Sequence, residues 1–81
     1  MSKYAEAVVR LQQVREMLRD RIAAASPPAE IGSEEWERWR KIRERREYLI
    51  HECRTFEIVV NTELVIPPRV YELLKEAEQL A

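Results

Sequence analysis

The 81-residue chain holds one glycine, one cysteine, one histidine and one phenylalanine. A single glycine excludes architectures built on many tight turns, small β-barrels and sandwiches above all, because such turns need positive φ. A single cysteine, Cys53, cannot close a disulfide within the chain, so no covalent staple is expected and a reducing, cytoplasmic setting is the default. Cys53 itself reads as a small buried apolar residue. His51 stands two positions away on a different helix face, too few ligands for a metal, so neither metal nor cofactor is expected. No sign of charge dominates: 14 basic residues meet 15 acidic ones, for a net charge of −1. A dedicated nucleic-acid binder carries a clear basic excess, which argues against that class. No apolar run approaches ~18 residues, so no membrane span is expected, and the start of the chain lacks the apolar stretch of a secretion signal.

What the chain does have is 46% hydrophobic and 36% charged residues. The apolar fraction is ordinary for a folded domain and excludes plain disorder; the length allows one domain, residues 1–81. From Tyr4 to Ala25 the apolar residues Tyr4, Val8, Leu11, Leu18, Ile22 and Ala25 recur at steps of three and four, with one gap. The spacing predicts a first helix over about 3–25, stopped by Ser26-Pro27-Pro28. Ser33 ahead of Glu34, Glu35 and Glu37 is a sound N-cap with acids where the helix dipole favours them. From there Trp39, Ile42, Leu49, Cys53, Phe56, Val60 and Leu64 again step by three or four, giving a second helix over about 34–64. Residues 56–66 are rich in β-branched side chains and could instead form a short hairpin turning at Asn61-Thr62. The unbroken helical stripe from Leu49 onward favours helix. Ile66-Pro67-Pro68 then makes a corner, and Val70, Leu73, Leu74 and Ala77 form one face of a short helix over about 68–80.

The expected fold is therefore all-α: an antiparallel helical hairpin plus a short C-terminal helix. Ile58, Val59, Val65 and Ile66 carry apolar surface beyond the main stripe of the second helix. A third helix of ~12 residues cannot cover the whole hairpin, so a dimer with a four-helix core is expected, or a hetero-partner in the same role.

Both gaps in the apolar stripes are arginines, Arg15 and Arg46. Antiparallel pairing that sets Ile22 near Trp39 and Val8 near Cys53 also sets Arg15 opposite Arg46. A buried unpaired charge is costly, so both need acceptors. They either snorkel to Glu16, Asp20, Glu44 or Glu47, receive a partner's carboxylate, or line a pocket for a carboxylate- or phosphate-bearing small molecule. The basic run Arg38 to Arg46 could contact phosphates, with Trp36 or Trp39 stacking on a base. Its charges project all round the helix, however, with glutamates at i to i+4 spacing, as on a solvated face. Trp36 and Trp39 either cap the core near the hairpin turn or form a partner-binding patch.

No motif assigns a reaction, and no catalytic residue is named. The expectation is a non-enzymatic protein–protein interaction module, adaptor or inhibitor-like, that self-associates through amphipathic helices. Its partner surface would hold Trp36, Trp39, Ile58, Val59, Val65 and Ile66. An Arg15/Arg46 ligand pocket stands second, and nucleic-acid binding through the second helix third.

Overall fold

Two serines set where the first two helices begin. The computed structural model describes residues 2–81, with Met1 outside them. The Ser2 hydroxyl accepts a hydrogen bond from the Ala5 amide at 3.1 Å and opens α1 (Lys3–Ala24). The Ser33 hydroxyl accepts one from the Trp36 amide at 3.1 Å and opens α2 (Glu34–Glu63). Each satisfies an amide that the first helical turn would otherwise leave without a partner. Ahead of Ser33, Gly32 takes a φ of 87°, the one turn that uses the chain's one glycine. A third helix, α3 (Pro68–Leu80), starts with Pro68 in its first turn, where a missing N–H costs nothing.

The segment 56–63 is helical, and no strand occurs among the described residues. Local β propensity yields here to burial: Glu57 and Val60 lie on the inner face of α2, where a helix puts them in register with Leu49 and Cys53. The helix ends at Leu64, which adopts the left-handed conformation at φ 55° and donates its N–H to the Val60 carbonyl at 3.0 Å. The expected helix limits at 25 and 64 fall at Ala24 and Glu63 instead, because each of the two expected end residues has already left helical geometry.

The three helices share one core. Leu11, Val14 and Leu18 of α1 meet Leu49, Cys53 and Val60 of α2, and Val70, Leu73, Leu74 and Ala77 of α3 close it. α3 runs antiparallel to α2, so Arg69 near its start reaches Glu52 at 2.8 Å, and the Arg46 Nε donates to the Leu80 carbonyl at its end, at 2.9 Å.

The coverage stops there. α2 has 30 residues and α3 has 13. The molecule is correspondingly long, 48 × 19 × 17 Å, with a radius of gyration of 14.6 Å. A compact chain of this length would have a radius of roughly 12 Å. Its accessible surface, 5625 Å², also exceeds the ~5,100 Å² typical of the mass. The excess comes from the hairpin end, where α1 and α2 continue as a pair with no third helix over them.

Candidate functional site

At the hairpin end, the stripes that face the core further along α1 and α2 run on past α3. Ile22 lies one turn beyond the buried Leu18, and Ile42 and Trp39 lie two and three turns before the buried Leu49. With Ala25, Arg43 and Arg46 they line a cavity of about 200 Å³. The Trp39 indole N–H points back to the Ala25 carbonyl at 3.5 Å, and its ring lies 6.0 Å from that of Trp36 in a tilted pair. Arg43 sits over the Trp39 ring at 5.6 Å, an arrangement that holds a cation beside an apolar wall. Ile42 is 43% exposed although it belongs to the core stripe by spacing. An apolar floor with a cationic rim is thus open to solvent, and it is the part of the fold least explained by the chain's own packing.

The two stripe arginines go to different places. Arg15 is clasped by Glu57: Nε to Oε2 at 2.7 Å and Nη2 to Oε1 at 3.2 Å, with Glu57 only 3% exposed and the Arg15 side chain 13%. The Glu57 hydrogen bond raises the Arg15 pKa above its ordinary value against the opposing effect of burial, so the guanidinium stays charged. Arg46 caps the carbonyl end of α3 and lines the cavity. Arg15 therefore does not face Arg46, and its carboxylate comes from Glu57 rather than from Glu16, Asp20, Glu44 or Glu47.

The expected pairing holds at the hairpin end, where Ile22 shares the cavity with Trp39. Further along, Val8 packs against the core and lies beside Arg54, Glu57, Ile58 and Asn61. Arg15 reaches along α2 to Glu57 at 2.7 Å, a carboxylate that satisfies its charge where a second guanidinium would not. Residue type alone does not single out Glu57, but its spacing, four after Cys53 and three before Val60, puts it on the inner face of α2.

The other expected partner residues divide. Ile66 packs against the core beside α3 and Val59 is half-buried, whereas Ile58 and Val65 are exposed at the opposite end from the tryptophans. Trp36 and Trp39 are half-buried at the hairpin end. The structure thus separates this set into two ends of the molecule.

Ion pairs within the chain engage much of the basic run. Arg40 reaches Glu37 and Glu44, Arg43 reaches Glu47, and Arg45 holds Glu76. Cys53 is fully buried, and burial pushes its thiol up to about 11, with the Glu57 charge adding to the effect. No cluster of metal-ligating side chains occurs among the described residues. Nor is any buried side-chain nitrogen or oxygen among them without a partner. No helix among them is long and apolar enough to cross a membrane.

Comparison with protein-family models, with curated proteins and with solved structures gave no match.

Proposed function

We propose that the chain is a non-enzymatic protein–protein interaction module, adaptor or inhibitor-like, whose working surface is the hairpin end. The observation that carries this reading is the cavity floored by Ile22, Ala25, Trp39 and Ile42, which continues the core stripe beyond the helix that covers it. Tryptophan and arginine at the edge of an apolar depression are the side chains that dominate interface energies. Nothing at this end resembles a reaction centre. The arginines that line the cavity can hold and orient, and its lining holds no carboxylate, histidine, hydroxyl or thiol. The module completes its core against a second chain, either another copy, giving the four-helix core, or a different helical protein. A lone buried cysteine suits a reducing compartment such as the cytoplasm.

The experiment is site-specific photo-crosslinking in the native cell. A photoreactive amino acid at position 42 is expected to give a discrete protein adduct, and the same group at the exposed position 63 none. The adduct mass separates a second copy of 9.7 kDa from another protein. Absence of any adduct at position 42, with the variant folded by circular dichroism, overturns the reading.

A further inference from the structure

The open surface is one half of a groove whose other half the chain fills itself, and the filled half shows what fits. α3 lies between α1 and α2 and ends beside Arg46; past that point the groove continues over Ile22, Ala25, Trp39 and Ile42. In the filled half, α3 presses Val70, Leu73, Leu74 and Ala77 onto the α1–α2 stripe. Its carboxylates are gripped from both sides. Arg10 of α1 donates to Glu78 at 2.8 Å, and Arg45 of α2 donates to Glu76 at 2.7 Å.

The open half repeats those arginines at the helical period. Arg21 comes eleven residues after Arg10 on α1, and Arg38 seven before Arg45 on α2. At 100° per residue each lies within about 20° of its counterpart around its helix. Arg21 and Arg38 are exposed, and neither is engaged in an ion pair among the described residues. The open half thus keeps the apolar floor, lined by Arg43 and Arg46, but without the acidic helix. It carries Arg21 and Arg38 at the positions that match the gripping arginines, with Glu30, Glu34, Glu35 and Glu37 near Arg38.

We propose that this half receives a short amphipathic helix from another protein, apolar on the buried face and carrying carboxylates on both flanks, seated in line behind α3. The proposal rests on the interaction-module reading and names the chemistry of its partner. Ten residues separate Arg46 from Trp36, a length of about 15 Å, which holds roughly three helical turns. A second copy of the chain fits less well. A two-fold interface would set one groove on the other, bringing the same arginine-rich rim against itself. The face is also small for a dimer: about 15 Å by 20 Å, or roughly 300 Å² in projection, remains short of the ~800 Å² per partner of stable interfaces even if surface relief doubles it.

The test titrates the full chain with a peptide of the α3 sequence, Pro68–Leu80, blocked at both ends, and follows tryptophan emission. The peptide contains no tryptophan, so the signal comes from Trp36 and Trp39 alone. A saturable change at sub-millimolar peptide is expected. Binding should weaken roughly tenfold in the double variant Arg21→Glu/Arg38→Glu, where two attractions become repulsions. It should be lost in Ile42→Ser, which alters the open half and leaves the α3 seat intact. No saturation in the wild type overturns the proposal. So does equal binding of a peptide in which Glu72, Glu76 and Glu78 are replaced by lysine, since the site would then read apolarity alone. Unchanged binding by Ile42→Ser means the peptide has displaced α3, and overturns it too. If any of these occurs while the position-42 adduct persists, the acidic-helix inference falls and the interaction module stands. Loss of both signals removes both.

Discussion

Removing one member of the Arg15–Glu57 pair should be far more damaging than removing both. In Arg15→Met the Glu57 carboxylate stays 3% exposed and loses two donors at 2.7 and 3.2 Å. Breaking a buried pair from one side costs about 3–5 kcal/mol. Arg54, whose Nη1 lies 3.5 Å from Glu57 Oε1 and whose side chain is largely exposed, can swing closer and keeps the loss near the lower figure. A chain of this length is stable by only about 4–12 kcal/mol, so Arg15→Met consumes a large share of the total. Glu57→Leu should cost less, because the longer Arg15 side chain can carry its charge outward to solvent. The double variant Arg15→Met/Glu57→Leu puts two apolar side chains of similar volume into one layer and should equal or exceed the wild type. Urea titration followed by far-ultraviolet circular dichroism reads all four proteins, and the coupling energy comes from the cycle. A cost for Arg15→Met below ~1 kcal/mol would refute the claim that this charge is a buried, committed one. A double variant as unstable as the sum of the singles would show that the two side chains are not neighbours, and with that the helix register would fall.

Leu64→Gly should stabilise the chain by roughly 0.5–1 kcal/mol, since the left-handed conformation strains leucine and not glycine. Leu64 is 59% exposed at φ 55°, so little packing is lost; a lower melting temperature in Leu64→Gly would count against this account. The Cys53 thiol, raised to about 11 by burial, should resist an aromatic disulfide reagent at pH 8 until urea unfolds the chain; rapid labelling in buffer would contradict it. The Arg45 hydrogen bond holds the Glu76 carboxyl below its ordinary value of 4.5. A depressed folded-state value gives stability that is present above the unfolded value and lost as pH falls through the folded one. The urea-midpoint gap between wild type and Glu76→Gln should therefore be flat from neutral pH to about 5 and shrink in stronger acid. Both side chains are partly exposed, at 44% and 31%, so the gap should be small and shrink with salt. A gap that widens on acidification would reverse the assignment.

Local signals along the chain settle the elements: the spacing of Leu11, Leu18, Leu49, Cys53 and Val60, the Ser33 cap and two Pro-Pro breaks. They set three helices to within a residue of where they lie. Even 56–63 followed the stripe over β propensity, because buried Val60 and core-packed Phe56 gain more from burial than β-branched residues lose in a helix. The partner of Arg15 was different. Apolar spacing puts Arg15 on the inner stripe without saying which acceptor it meets. Glu57, forty-two positions away, reaches it only once α1 packs on α2. The open groove also belongs to tertiary structure. Ile22, Ile42 and Trp39 read as core by spacing, and their exposure follows from where α3 ends, fixed by its docking against Arg45, Arg46 and Glu52. Apolar spacing records which face a residue takes; how far the covering helix reaches is decided in three dimensions.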